Sequence, residues 1–189
     1  MTLNLNPLVT CLAITKTTLT LINLRSTALM TKRAQQYIQQ LDLAPHPEGG
    51  FYKRIYQSPI NIETVNGERP LSTSIHYLLE QGDYSAWHRI KSDELWYYND
   101  GGQLNIHTIN QQGQLSTYTL GKDDQLHVCI SANTWFCAEL SGESNSPFIL
   151  TSCVVSPGFD FEDFEMANTE DLVTIYPQHR DIICRLCRE

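Results

Sequence analysis

The sequence feature that most constrains the fold is a series of nine short segments, each five to eight residues long, between residues 51 and 155. They are rich in Val, Ile, Thr and aromatic residues, which favour strands, and Gly, Asn, Asp and Ser separate them. In chain order they are FYKRIYQ, STSIHYLL, SAWHRI, ELWYY, QLNIHTI, QLSTYTL, QLHVCI, TWFCAEL and FILTSCVV. Strands at this spacing, with no helical segment between them, predict an all-β antiparallel sandwich or barrel.

Helical patterns flank the strand-rich region on both sides. Ala34, Tyr37, Ile38 and Leu41 recur at three- and four-residue spacing, which predicts a short N-terminal helix that ends at the helix-breaking segment APHPEGG. The C-terminal tail, NTEDLVTIYPQHRDIICRLCRE, is predicted to be helical or irregular. We therefore expect one domain over residues 31–189. Residues 1–30 have no acidic residue and only two basic ones, and we expect a poorly ordered leader or a mis-assigned start.

Charge and composition exclude several classes of function. The 189 residues carry 21 acidic and 13 basic side chains, for a net charge of −8, which leaves too few cations for a nucleic-acid partner. No uninterrupted apolar run approaches the roughly 18 residues of a membrane-spanning helix. The six cysteines are widely spaced in a chain long enough to fold without disulfides. We expect a soluble, cytoplasmic protein with no membrane partner.

The segment GDYSAWHRIKSDELWYYNDG, residues 82–101, concentrates the residues that could carry chemistry. Its two strand-like halves hold His88 and Glu94 and are joined by the short polar run KSD. If the two strands pair and both side chains face the same side, His88 and Glu94 meet in an apolar, aromatic interior. Buried polar groups need partners. The two residues therefore either satisfy each other structurally or bind a ligand or a metal.

The spacing of this segment resembles the first cupin motif, in which Gly is followed by His-x-His, Glu and a second Gly. The two glycines, His88 and Glu94 match that pattern, but Ile90 stands in the place of the second histidine. The segment SANTWF resembles the second cupin motif, with Phe136 in the place of its metal-binding histidine. Two of the four usual metal ligands are thus replaced by hydrocarbon side chains.

From about Tyr37 to Leu186 the chain also resembles one subfamily of uncharacterised cupins, the fifth cupin subfamily, which carries a domain-of-unknown-function label. The segments that carry the resemblance are HPEGGFYKRIYQS, STSIHYLL, WHRIKSDELW, ANTWF and SPGFDFEDFEMA. The resemblance implies a double-stranded β-helix, the jelly-roll cupin barrel, which usually forms a homodimer and is similar to sugar-nucleotide epimerases and seed-storage cupins. The last segment lacks the pattern of a calcium loop, and we expect a loop anchored by its phenylalanines that closes one end of the barrel or supports the dimer.

The replaced ligands favour an organic ligand over a metal, because zinc and iron sites normally use three or more protein ligands. We therefore expect no metal and no cofactor, and a small-molecule pocket lined by aromatic side chains with a few polar groups. Arg54 is expected to meet an anionic group of the ligand. The candidate ligand-binding residues are Arg54, His88, Glu94, Trp96, Tyr98, Gln125 and Phe136.

Two hypotheses about function follow from the resemblance. In the first, the protein binds a carbohydrate, sugar phosphate or nucleotide sugar and acts as a metal-independent isomerase or epimerase. His88, with an ordinary near-neutral pKa, would be the base and Tyr98 the acid, while Glu94 would orient His88. In the second, the protein is a non-catalytic binding or storage-type cupin. A metal-dependent dioxygenase is the least favoured hypothesis because Ile90 and Phe136 occupy ligand positions.

Overall fold

The computed structural model describes residues 32–144 and 146–188. The expected leader, residues 1–30, lies outside the described residues. The described chain forms two antiparallel β-sheets that face each other, with short helices at the two ends of the sequence. The strands are β1 Ala44–Pro45, β2 Phe51–Gln57, β3 Asn61–Thr64, β4 Gly67–Pro70, β5 Thr73–Glu80, β6 Tyr84–Ile90, β7 Asp93–Gly101, β8 Leu104–Ile109, β9 Leu115–Leu120, β10 His127–Ile130, β11 Trp135–Leu140, β12 Phe148–Ser156 and β13 Phe164–Met166.

The larger sheet has the strand order β1-β2-β5-β12-β7-β10, and the smaller one has the order β13-β6-β11-β8-β9. Strands β3 and β4 form a separate hairpin. Side chains from both sheets interdigitate in the central core, where Trp96 and Ile149 of the larger sheet pack with Ile106 and Phe136 of the smaller one. This arrangement confirms the predicted all-β jelly roll.

All nine predicted strands are present, as β2 and β5 to β12. The sequence did not predict β1, β13 or the β3–β4 hairpin. The hairpin turns at Val65 and Asn66, and its strands NIET and GERP lack the alternation of hydrophobic residues that marks a half-buried strand. The strand β13 has only three residues and is held by pairing with β6.

The structure also has the predicted helical segments: α1 over residues 32–40, α2 over Thr169–Ile175 and α3 over Arg180–Leu186. Helix α1 buries Ala34 beside Leu78 and Phe148 of the larger sheet. Helices α2 and α3 cover the outer face of the smaller sheet, where Leu172 and Ile183 pack on Trp87. None of the helices in the described ranges is long and apolar enough to cross a membrane.

The connection between β6 and β7 differs from the prediction. The two strands do not pair: β6 lies between β13 and β11, whereas β7 lies between β12 and β10 in the other sheet. The chain turns a corner at Lys91 and Ser92, so His88 and Glu94 approach the interior from opposite sheets rather than as neighbours in one ladder. This corner places both side chains at the edge of a cavity between the sheets.

Candidate functional site

A small cavity lies between the two sheets at the end where the β6–β7 corner is found. Its volume is about 40 Å³, which is room for about three water molecules at roughly 10–15 Å³ each. Only Arg54 among its lining residues is exposed, so the cavity reaches the surface on that side. The lining residues are His46, Glu48, Tyr52, Arg54, Thr73, Ser74, Ile75, Tyr77, His88, Ile90, Glu94, Trp96, Cys153, Val155, Phe159 and Phe164.

His88 is held in one tautomer at the wall of this cavity. Its Nδ1 lies 2.7 Å from the carbonyl oxygen of Ala86, and because a carbonyl only accepts, Nδ1 carries the proton. Its Nε2 lies 3.1 Å from Oε2 of Glu48. Burial lowers the pKa of His88 to about 4, below the near-neutral value expected from the sequence. The ring is therefore neutral at pH 7, and its unprotonated Nε2 faces the Glu48 carboxyl.

Glu48 is the partner of His88, and the sequence did not predict it as a site residue. Burial raises the pKa of the Glu48 carboxyl, which lies 3.1 Å from Nε2 of His88. The other carboxyl oxygen, Oε1, accepts from Oγ of Ser85 at 3.0 Å. The Glu48 backbone carbonyl accepts from the N–H of Ala86 at 2.8 Å and from Nε of Arg188 at 2.9 Å. These contacts fix the Glu48 loop against β6.

Glu94 faces the cavity from the opposite sheet. Burial and the nearby Glu48 carboxyl raise its pKa, and hydrogen bonding to the Cys153 thiol and the Trp96 indole lowers it in part, for a pKa of about 8. Glu94 is therefore a carboxylic acid at neutral pH. The sequence expectation that Glu94 orients His88 is not met, because the two residues lie on different sheets and the carboxyl in contact with Nε2 of His88 is that of Glu48.

The segment after β12 closes the cavity with aromatic side chains, as predicted for its phenylalanines. The ring of Phe164 lies 5.4 Å from the His88 ring, and Phe159 packs on Phe164 at 5.9 Å between ring centroids. Asp163 anchors the segment, because its buried carboxylate lies 2.7 Å from Nε of Arg69. The cavity thus has polar groups on its inner walls and aromatic rings on its outer side.

Three of the residues predicted from the sequence do not line the cavity. Tyr98 faces the interior as predicted, but four residues of extended strand separate it from Glu94 by about 13 Å, and its hydroxyl donates to the carbonyl of Gly101 at 2.9 Å. Gln125 is exposed in the turn before β10. Phe136 is fully buried behind His88, with 4.0 Å between the ring centroids. Arg54, His88, Glu94 and Trp96 do line the cavity.

The residues at this site do not fit the metal of a cupin motif. Within residues 32–144 and 146–188, no group of three or more His, Cys, Asp or Glu side chains is arranged to hold a metal ion. Ile90 lines the cavity and Phe136 packs on His88, so neither place offers a ligand atom. Both ring nitrogens of His88 are already engaged, one by Ala86 and the other by Glu48.

Comparison with known protein families identifies the family to which the chain belongs. The family model described as Cupin superfamily (DUF985) matches residues 35–167. The chain belongs to this family. The match includes the Glu48 loop, both cupin-motif strands and the aromatic segment, so every side chain that lines the cavity lies within the family region of this cupin. No curated protein matches the chain.

Solved structures support the same assignment. A hypothetical protein from Leishmania major is 30% identical, with a TM-score of 0.78 over 82% of this cupin and 99% of that chain. A protein from Shewanella oneidensis is 36% identical, with a TM-score of 0.75 over 82% and 97% of the two chains. A cupin 2 domain-containing protein from Halorhodospira halophila is 15% identical, with a TM-score of 0.51 over 77% and 88%, and shows likeness of fold alone.

Proposed function

We propose that this cupin binds a small carbohydrate-like molecule or its phosphate and isomerises or epimerises it by proton transfer without a metal. The observation that supports this proposal is a pair of buried carboxyl groups that line one small cavity: Glu48, whose loop is hydrogen-bonded to β6 of the smaller sheet, and Glu94, on β7 of the larger sheet. Glu48 also lies 3.1 Å from Nε2 of His88, so the carboxyl and the imidazole form one acid–base pair at the cavity wall. Opposed acid and base groups of this kind suit the removal and return of a proton on one bound carbon.

The proton steps balance within the three side chains. As the substrate loses a proton from the carbon next to its carbonyl, the adjacent pair of Glu48 and His88 takes up that proton. Glu94 gives its proton to the carbonyl oxygen, which leaves a neutral enediol and an ionised Glu94. Return of the first proton to the neighbouring carbon gives an isomer, while the ionised Glu94 takes up the hydroxyl proton from the carbon that was first deprotonated. Return to the opposite face of the first carbon gives an epimer, while the enediol oxygen that came from the carbonyl gives its proton back to Glu94. Glu94 takes the role of the acid that the sequence assigned to Tyr98.

Exchange of deuterium from solvent into the substrate tests this function. We would incubate the protein in D₂O with a panel of sugars and sugar phosphates, with and without a chelator, and follow loss of the C–H signals by NMR. The wild-type protein should exchange at least one panel member in the presence of the chelator, and Glu48→Gln should abolish that exchange. Glu139→Gln is the matched control, because Glu139 also contacts a histidine, His107 at 3.3 Å, but does not line the cavity.

If Glu48→Gln still exchanges deuterium into the substrate at the wild-type rate, the proposed proton-transfer mechanism is wrong. Exchange that stops with the chelator would instead favour metal-dependent chemistry.

The second candidate function is that of a non-catalytic binding cupin. The observation that favours it is the resting state of the site, in which His88 and Glu94 are uncharged at neutral pH and Nε2 of His88 is occupied by Glu48. Such a site offers hydrogen bonds to a neutral ligand but holds no free base. Binding of a panel member with no exchange of its C–H protons would support this alternative.

A further inference from the structure

His46 is a buried histidine of the cavity that has no role in the proposed proton transfer. Its side chain is 7% exposed. The ring packs edge-on against that of Tyr52, with 4.5 Å between the ring centroids, and the rings of Phe161 and Phe164 lie 6.5 and 6.2 Å away. An imidazole enclosed in this way is costly unless its nitrogens find partners.

One nitrogen of the His46 ring has a partner in its own loop. The backbone N–H of Glu48 donates to Nδ1 at 3.3 Å. Because a ring nitrogen that accepts carries no proton, the proton of the neutral ring lies on Nε2. Burial lowers the pKa of His46, so the ring is neutral at pH 7. His46 therefore has the opposite tautomer to His88, whose proton lies on Nδ1.

The other nitrogen, Nε2, is a donor without an acceptor. The only polar contacts of the His46 ring among the described residues are those of Nδ1 with Glu48. Nε2 is also not one of the fully enclosed atoms that lack a partner in this part of the chain, so the packing around the ring leaves it open. Since the ring lines the cavity, this N–H is within reach of a molecule that enters there.

The charge near this donor indicates what it binds. Arg54 lies two residues after Tyr52 on the same face of β2, so it reaches the cavity beside His46. Its guanidinium forms no ion pair with a carboxylate of the described residues, and the nearby Glu94 is uncharged at neutral pH. An uncompensated cation beside an open N–H donor suits a negatively charged oxygen group.

We propose that Nε2–H of His46 and the guanidinium of Arg54 together bind an anionic oxygen group of the ligand, a carboxylate or a phosphate. This inference rests on the proposed function and narrows its substrates to sugar acids and sugar phosphates. His46 donates a hydrogen bond to one oxygen of the group, and Arg54 meets its charge at the mouth of the cavity. The hydrogen bond between Glu48 and Nδ1 then holds the bound group in a fixed position relative to the proposed base.

Nitrogen NMR tests the state of the ring in the free protein. Long-range ¹H–¹⁵N correlation spectra distinguish the two nitrogens of each of the six histidines, and the signals of His46 are those absent from spectra of His46→Asn. At pH 7 the ring of His46 should be neutral with its proton on Nε2. A neutral ring with its proton on Nδ1 would overturn the proposal, because Nε2 would then have no hydrogen to donate.

Three probes that differ in one end group test the binding role. Glycerol, glycerate and glycerol 3-phosphate share a small polyol skeleton and end in a hydroxyl, a carboxylate and a phosphate. At least one of the two anions should move the Nε2 signal of His46 and bind roughly tenfold or more tightly than glycerol. The anion that does so identifies the group. The proposal is overturned if neither anion moves this signal, or if glycerol binds as tightly as both.

His46→Asn tests the donor itself. The asparagine oxygen can still accept from the N–H two residues further on, whereas the donor at Nε2 is lost. The variant should bind the preferred anion roughly tenfold more weakly and glycerol as the wild type does. His107→Asn is the matched control and should keep the wild-type affinities, because the His107 side chain is 9% exposed but does not line the cavity. A folded His46→Asn with wild-type affinity for the anion would overturn the proposal, and if the variant does not fold, the wild-type titration decides.

The deuterium exchange assay separates this inference from the proposed function. If an anion moves the His46 signal but no sugar or sugar phosphate exchanges its C–H protons in D₂O, the anion site stands and the isomerase proposal fails. If the wild type exchanges panel members but neither anion moves the His46 signal, the isomerase proposal stands and the role of His46 is overturned.

Discussion

Glu94 should make the protein less stable as the pH rises, and Glu94→Gln should remove that dependence. Burial raises the pKa of Glu94 from its ordinary value of 4.5 to about 8 in the folded state. In the unfolded chain the carboxyl loses its proton above 4.5, whereas the folded protein keeps it until about 8. Between these values the unfolded state binds fewer protons, so the free energy of unfolding falls with rising pH. The stabilisation that protonated Glu94 contributes is fully present below pH 4.5 and is lost as the pH rises through the folded pKa of about 8.

The size of the effect follows from the shift in pKa. Each pKa unit corresponds to about 1.4 kcal/mol, so the fall reaches about 3 kcal/mol at pH 7 and about 5 kcal/mol above pH 8. A glutamine is nearly the same size, and its amide carries no charge at any of these pH values. The variant therefore lacks this loss, although the raised pKa of Glu48 leaves it a dependence of the same sign.

Urea unfolding of wild type and Glu94→Gln at about pH 5 and about pH 8.5 measures the difference. From the lower to the higher pH, the free energy of unfolding of the variant should rise by several kcal/mol relative to that of the wild type. Glu143→Gln, at an exposed position, should show the same pH dependence as the wild type. If the gap between wild type and Glu94→Gln is the same at both pH values, Glu94 is not a buried neutral acid. Glu94 could then not serve as the acid of the proposed reaction.

The mouth of the cavity and the edge of the larger sheet give two further predictions. The guanidinium of Arg54 contacts two neutral oxygens, of Gln57 at 3.1 Å and Phe159 at 3.4 Å, and no carboxylate of the described residues. Calorimetric titration should show that Arg54→Gln weakens the affinity for a phosphate ester by roughly tenfold or more but leaves the affinity for its neutral analogue unchanged. An equal loss of affinity for both compounds would argue against an anionic ligand. Beyond Tyr52 the outer edge of β2 has no strand partner among the described residues, and Ile55 is 49% exposed there. We expect sedimentation to find a homodimer that Ile55→Lys dissociates, and a monomeric wild type would refute this.

The fold was predictable because its signals are local. Turn residues and β-branched or aromatic segments predict β2 and β5 to β12 one by one. Pairing between strands is not local, so the sequence wrongly predicts a β6–β7 pair. The short polar corner at Lys91 and Ser92 looks like a hairpin turn in sequence but carries the chain from one sheet to the other.

The site was predictable only where a motif marks it. His88 and Glu94 stand at motif positions, and strand alternation correctly directs Trp96 inward. Glu48 lies in a short turn segment with Pro and Gly neighbours, where no periodicity distinguishes a functional side chain from a surface one. Its place beside His88 depends on contacts with β6 and with Arg188, which is 140 residues away in sequence. No pattern within one segment could indicate such contacts.

The Glu48 loop also accounts for how a cupin site can persist after two metal positions have become Ile90 and Phe136. A motif histidine needs a partner for its Nε2, and a buried imidazole without one would be costly. Here the Glu48 carboxyl lies 3.1 Å from Nε2 of His88, the ring nitrogen that a metal would otherwise need. Together with the Ala86 carbonyl at Nδ1, it keeps the ring fixed in the cavity wall. The proposed acid–base chemistry is therefore compatible with the missing metal ligands, and Glu48→Gln tests it.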